Sequence, residues 1–385
     1  MSPEKKKRVG LFVDSLMGGG AERVALNFAE KFIELGHDAH VFVLHPPIEH
    51  QTGAVPVHLI SEQFKLADWR PLNKWRYARR IRQQVRAIEA DGKPFDFFIS
   101  NAEDSDRLTR MAGLRPVFIR YRNSLLHFLD AKVGDTQGLK RRIRHARWLG
   151  KFHRLYSGHL VTVSRALEEE LVQAVGLKPQ SIRTIYNPFD FDLLRRRAAE
   201  PRALPDEPYI LYPARLTPRK RQDLLLRAYA LSGLTLPLVL LGGTSGAEGE
   251  RYEVEMKALA AELGIAKRVR FQGFEQNPYP WIQGAALVAM SSDSEGLPTV
   301  LIESLILGTP VVSTDCPTGP SEILTGDLAR FLSPVDDVPA LAANIRSALE
   351  GYPPITSKYI ERFRAENTIC TYIAHFEALT AEGQA

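Results

Sequence analysis

Two kinds of hydrophobic pattern alternate along this chain. Short apolar runs rich in Val, Ile, Leu and Phe are separated by stretches whose apolar positions recur every three or four residues: VGLFVDS at 9–15, then AERVALNFAEKFIELG at 21–36, then AHVFVLH at 39–45. The runs FDFFISN, PVFIRYR, LVTVS and IRTIYN carry the series on to Asn187. Strands joined by helix-length segments do not pair as hairpins, so the pattern predicts βαβ units on a parallel sheet.

Near Asn187-Pro188 the pattern breaks, and residues 195–208 hold Pro201, Pro205 and Pro208 among charged residues, as a linker would. A second series then begins with YILYPAR, LPLVLLGG, VRFQGF, ALVAMSS, PVVSTD and RFLSP. The expected fold class is α/β, with two Rossmann-like doubly wound domains at 1–195 and 205–355 facing a central cleft. The last segment, 356–385, has helical spacing and no strand after it. It is expected to cross back and pack on the first domain. Open α/β sheets bind ligands beyond the carboxyl ends of their strands, so the chemistry should sit at strand ends.

Composition narrows the setting. A chain of 385 residues exceeds what one hydrophobic core usually organises. Its two cysteines, Cys316 and Cys370, have neither disulfide-scaffold nor metal-ligand spacing, which points to a reducing, cytoplasmic compartment. Asp14 interrupts the apolar stretch that follows Lys5–Arg8, so that stretch reads as a first strand and not as a secretory signal. No segment approaches the roughly 20 apolar residues needed to span a bilayer. The net charge of +5 is modest but unevenly placed. Seven Lys or Arg and no acid lie between Trp69 and Ile88, and seven more, again with no acid, between Lys140 and Arg154.

The strongest chemical signal is Glu295-Gly-Leu-Pro-Thr-Val-Leu-Ile-Glu303, directly after the strand ALVAMSS. Pro298 fits only the first turn of a helix and Gly308 marks its end, so a helix is predicted over about 298–307. Its first-turn N–H groups, entered through Gly296, Leu297, Pro298, Thr299 and Val300, form an anion site suited to a diphosphate. Carboxylates accept hydrogen bonds from vicinal hydroxyls, which places Glu303 to hold a ribose and Glu295 a sugar. A second signal, Tyr212-Pro-Ala-Arg215-Leu-Thr-Pro-Arg219-Lys220, ends the first strand of the second domain. A guanidinium fork and an ammonium there can neutralise a departing diphosphate. Arg219 and Arg221 are close alternatives.

Taken together, GGAE (19–22), PARLTPRK (213–220), LGG (241–243), FQGF (271–274), SEGLPTVLIESLILGTPVVSTD (294–315) and CPTGPSEIL (316–324) resemble glycosyltransferase family 4, retaining enzymes of the GT-B fold that use nucleotide-sugar donors. The resemblance implies that Arg215 and Lys220 bind the donor diphosphate, Glu303 the ribose and Glu295 the transferred sugar. It places Phe274 beside the base and Gly18, Gly19 and Gly20 along the cleft. The CPTGP variant resembles members that build bacterial surface polysaccharides and lipid-linked oligosaccharides. That points to a UDP-linked hexose or N-acetylhexosamine moved to a glycan or lipid-linked acceptor, with no cofactor and no metal. A nucleotide-sugar epimerase or hydrolase on the same fold, and a catalytically silent nucleotide-sugar-binding subunit, are the rival readings.

The acceptor side is less patterned. Glu103, Asn123 and His127 are its candidates, with a satisfied, partly buried role favoured for His127 over a catalytic one. Asp104-Ser-Asp106 has the spacing of a metal motif but lies in the presumed acceptor domain. In LKRRIRHARWLGKFHRLYSG, the residues Arg141, Arg142, Arg144, Arg147 and Lys151 alternate with Ile143, Trp148 and Phe152, as in a helix lying in an anionic lipid interface. The expectation is therefore a peripheral protein on the inner face of the cell membrane, with no nucleic-acid partner.

Overall fold

The computed structural model describes residues 6–17, 20–49, 52–62, 71–134, 138–244 and 246–383. The chain divides into two compact units, the first made of residues 1–163, 167–188 and 364–385, the second of 164–166 and 189–363.

The first unit is built on seven strands: β1 (Arg8–Val13), β2 (Asp38–Val43), β3 (Val57–Leu59), β4 (Phe97–Ser100), β5 (Val117–Tyr121), β6 (His159–Thr162) and β7 (Ser181–Thr184). Their spatial order is β3-β2-β1-β4-β5-β6-β7, and every neighbouring pair is parallel. Alternation along β1 feeds two cores. Val9, Leu11 and Val13 face the Gly20–Glu34 helix, whereas Phe12 turns to the other side and stacks on Phe42 at 4.7 Å between centroids. The C-terminal Ala365–Ala381 helix adds Ile369, Tyr372, Ile373, Phe376 and Leu379 to the first of these cores. Burial of each such side chain stabilises the unit by about 1.5–3 kcal/mol.

The second unit repeats the plan with β8 (Ile210–Pro213), β9 (Leu238–Leu241), β10 (Val269–Gly273), β11 (Leu287–Met290), β12 (Val311–Thr314) and β13 (Leu332–Ser333). The order is β10-β9-β8-β11-β12-β13, again parallel throughout. Strand order reverses between β1 and β4 in one sheet and between β8 and β11 in the other. These are the switch points beyond which doubly wound sheets bind ligands.

The boundaries differ from the expectation. The first unit gives way at Pro188, not at 195. Residues 191–198 are the Phe191–Ala198 helix, capped by Asp190, whose Oδ1 accepts from the Leu193 amide at 2.8 Å. That helix buries Phe191, Leu194 and Ala198 within the second unit, so part of the supposed linker is core. Near the other end, residues 357–363 also stay with the second unit, and the return begins at Arg364, where an extended backbone separates two helical pieces.

Candidate functional site

In the second unit the expected residues converge on loops at the carboxyl ends of adjacent strands. The segment after β8 carries Arg215 and, in a short 3-10 turn Pro218–Lys220, Lys220. Buried groups hold that segment by its carbonyls. Tyr212 Oη donates to Lys220 O at 2.8 Å, and Ser291 Oγ donates to Lys220 O at 3.1 Å and to Arg221 O at 2.7 Å. Gln222 Nε2 donates to Arg215 O at 3.0 Å. Gly242, after β9, lies so close that a Cβ there would meet Ala214 O at 2.1 Å. The Leu216 amide donates to Gly243 O at 3.1 Å, and Gly243 in turn abuts Phe274, whose ring is 70% exposed in the loop after β10.

Glu295 lies in the loop after β11, and its Oε1 accepts from Lys220 Nζ, so the two motifs read separately in the sequence form one buried ion pair. The side chains are 18% and 10% exposed. The loop after β12 supports this carboxylate from behind. Thr318 Oγ1 donates to Glu295 O, and Gly319, at φ 98°, packs with its Cα beside Leu297 and Pro298. Cys316 beneath it is buried, and burial pushes its thiol up to about 12, which leaves it inert as a nucleophile.

Gly296, Leu297 and Pro298 then lead, all buried, into the Thr299–Ile306 helix. No side chain caps that end, so the first-turn amides of Thr299 and Val300 have no intrahelical acceptor. Glu303 stands a turn further on, half-buried. Burial raises its carboxyl from 4.5 to about 7, with Arg197 pulling the other way. One carboxylate paired with a lysine and a second whose carboxyl is raised to about 7 flank an uncapped helix end. That is an arrangement suited to a ligand with a diphosphate between two groups of hydroxyls.

In the first unit the switch point is polar. Asp14, after β1, accepts from the Ser105 amide at 2.9 Å, and Asp106 accepts from Ser100 Oγ at 2.5 Å. Burial raises both carboxyls, and it raises Asp104 to about 6 with Asp14 adding to the effect. Arg120 is buried, donating to Asn101 Oδ1 at 3.0 Å and to Asn187 Oδ1, and burial lowers it to about 10. A cavity of about 120 Å³ opens among Asn101, Glu103, Arg122, Asn123, Phe128 and Tyr156. Two of the three acceptor-side candidates, Glu103 and Asn123, therefore share one pocket. His127 does not line it and is exposed, its amide bound by Ser124 Oγ at 3.1 Å, so the partly buried role expected for it is corrected. Among the described residues no group of three His, Cys, Asp or Glu side chains is placed to hold a metal, and Asp106 is turned to Ser100. Gly18 and Gly19 lie outside the described residues; Gly20 opens the Gly20–Glu34 helix.

The basic helix Gly138–Leu155 corrects another expectation. Arg141, Arg142, Arg144 and Arg147 are exposed, but Phe152 and Leu155 are buried and Trp148 and Leu149 pack against the same core. Trp148 stacks on Phe152 at 5.8 Å and carries Lys151 Nζ on its face at 4.2 Å. The large exposed apolar side chains of this helix are Leu139 and Ile143.

Sequence reading missed the buried Tyr212 and Ser291, which fix Lys220, and the Arg120–Asn101–Asn187 cluster. Nothing local marks either group.

Comparison with known proteins places the family and the fold. A Campylobacter jejuni enzyme described as N-acetylgalactosamine-N,N'-diacetylbacillosaminyl-diphospho-undecaprenol 4-alpha-N-acetylgalactosaminyltransferase is 27% identical over 89% of this chain and 90% of its own. The lipopolysaccharide 1,6-galactosyltransferase of Salmonella typhimurium is 27% identical over 44% of this chain and 46% of its own. Among solved structures, Anabaena HepE in complex with UDP and glucose has the same fold, with a TM-score of 0.71 at 20% identity over 96% of this chain and 99% of that one. Two family models match successive parts of the chain, Glycosyltransferase Family 4 over residues 18–193 and Glycosyl transferases group 1 over residues 195–366. Between them they run through both units, and the chain belongs to glycosyltransferase family 4, with the GT-B fold.

Proposed function

We propose that this glycosyltransferase moves a hexose or N-acetylhexosamine from a UDP-sugar to a lipid-linked glycan at the inner face of a cell membrane, with retention of configuration. The observation that carries the reading is the Lys220–Glu295 pair beside the uncapped Thr299–Ile306 helix, a cation, a carboxylate and free amides within one set of loops. The lipid-linked acceptor is supported by the Campylobacter relative, which acts on a diphospho-undecaprenol glycan and aligns along most of this chain. A UDP donor is supported by the ligand of the Anabaena structure.

In this mechanism Arg215, Lys220 and the helix amides stabilise the diphosphate as its bond to the anomeric carbon breaks. Glu295 holds hydroxyls of the sugar, and Glu303 those of the ribose. The acceptor oxygen attacks from the face the diphosphate leaves, and its proton passes to a diphosphate oxygen. No protein nucleophile is required, and two basic side chains with a helix end supply the positive field without a metal.

The test is a panel of nucleotide sugars incubated with and without undecaprenyl-diphosphate-linked glycan, in excess chelator, with products resolved by mass. UDP released together with a one-sugar gain in the acceptor, only when both substrates are present, supports the reading. Epimerised donor, or UDP released equally without acceptor, selects a rival enzyme class. Activity that vanishes in chelator and returns with manganese contradicts the metal-free mechanism.

A further inference from the structure

Among the described residues only two other than glycine hold their backbone in the left-handed region, Arg221 at φ 49° and Asp336 at φ 67°. They stand 115 positions apart in the chain and are bonded to each other, Arg221 Nη1 donating to Asp336 Oδ1 at 2.5 Å. The rest of the guanidinium fork goes to Asp223, Nε to Oδ1 at 3.1 Å and Nη2 to Oδ2 at 3.2 Å. In this conformation a Cβ crowds the following carbonyl, so such a residue persists only where its surroundings hold it. Aspartate tolerates the region better than arginine does. Arg221 is therefore the strained member, and the two carboxylates are its restraint.

The strain sits beside the donor loop. Arg221 directly follows Lys220 and joins the Pro218–Lys220 turn to the Gln222–Ser232 helix. On one side the segment after β11 bonds three successive carbonyls of this turn: the Asp293 amide donates to Arg219 O at 3.1 Å, and Ser291 Oγ to Lys220 O and Arg221 O. On the other side Asp336 comes from the loop after β13, just ahead of the Val338–Glu350 helix, which packs on the Gln222–Ser232 helix. Carbonyls held by the β11 segment and a side chain held by Asp223 and Asp336 fix the left-handed step between them, with Lys220 Nζ on Glu295. Arg221 was an alternative phosphate ligand in the sequence, but its Nε and both terminal nitrogens are spent on carboxylates. We infer that Arg221 is a positioning residue, clamped by Asp223 and Asp336 so that the strained turn delivers Lys220 to Glu295 and to the donor diphosphate. The inference rests on the reading of Lys220 as a diphosphate ligand.

The test compares Arg221→Ala with Arg221→Gly. Both lose the clamp, but only glycine takes a positive φ without strain. Arg221→Ala should lower kcat for sugar transfer about tenfold and raise the rate at which an amine-reactive ester labels Lys220, mapped by mass spectrometry, by a similar factor. Arg221→Gly should recover most of both losses. Asp336→Asn keeps a residue tolerant of the left-handed region and removes the charge, so it should move both readouts in the direction of Arg221→Ala, by less. Added to Arg221→Gly, the same substitution should change nothing further. Labelling needs no substrate, so a wild type inactive with every donor counts against the catalytic reading while labelling still decides the clamp. Equal losses in the alanine and glycine variants overturn the inference, because a direct phosphate ligand would behave that way. So does a lower melting temperature in Arg221→Ala with Lys220 labelling and kcat unchanged, which would make the clamp a matter of stability alone.

Discussion

Lys220 Nζ bonds Glu295 Oε1, joining through space two motifs that stand 75 residues apart in the chain. The pair is buried, so removing one member leaves the other charge without compensation, which costs on the order of 3–5 kcal/mol in such sites. Lys220→Met should lower turnover by two or more orders of magnitude and also lower the melting temperature. The double variant Lys220→Met/Glu295→Gln should recover much of the melting temperature and none of the turnover. Equal destabilisation in single and double variants would show that the pair does not act as one unit.

Exposed Arg215 separates the two effects. Arg215→Ala should lose turnover to a comparable degree while its stability stays within the small change, about 0.5 kcal/mol, typical of surface substitutions. Parallel assays of turnover and thermal unfolding check this, and wild-type-like turnover in the folded variant would remove Arg215 from the site.

Gly319 has a φ of 98°, and a Cβ there would meet Pro298 Cδ at 2.6 Å and Leu297 Cα at 3.0 Å. Gly319→Ala therefore forces the Glu295–Pro298 loop away from its support. A strained backbone of this kind costs about 1–3 kcal/mol. The expected outcome is a lower melting temperature together with weaker UDP binding, measured on the same preparation. Weaker stability with unchanged affinity would show that the loop does not form the donor site.

Glu303 gives the account a pH dependence. Its carboxyl is raised from 4.5 to about 7, so between those values the native state holds more protons than the unfolded chain. Stability should then fall as pH rises through this window, and Glu303→Gln should flatten that slope. Ribose hydroxyls donate to the charged form, so UDP affinity should run the opposite way, weakening below pH 7 by up to about tenfold per unit. Calorimetry in buffers of different ionisation enthalpy should detect the proton released on binding. No proton release at pH 6 would contradict the role given to Glu303.

How much of this was legible beforehand follows from how local each signal is. Glu295, Arg215 and Lys220 sit at strand-to-helix junctions, and Glu303 one turn into the helix that follows, where strand pattern, proline and glycine mark position within a few residues. Arg120 bonds Asn101 and Asn187, partners 19 and 67 residues away, and no periodicity announces such a contact. Trp148 was misread because apolar positions at helical spacing among arginines look the same whether they meet a core or a lipid. Strand β3 spans three residues, too few for alternation to register. The prolines at 201, 205 and 208 read as a linker, yet the helix before them packs into the second unit, because Asp190 caps it and Phe191 and Leu194 are buried there.

The most direct test is the affinity of UDP and of uridine for the wild type and for Arg215→Ala/Lys220→Ala, measured by titration calorimetry. If these two cations hold the donor diphosphate, the double variant should bind UDP about a hundredfold more weakly, in line with the loss of two charge-assisted contacts. Uridine, which offers only base and ribose to Phe274 and Glu303, should bind both proteins equally. UDP affinity that is unchanged in the folded variant, or an equal loss for UDP and uridine, would contradict the placement of the donor.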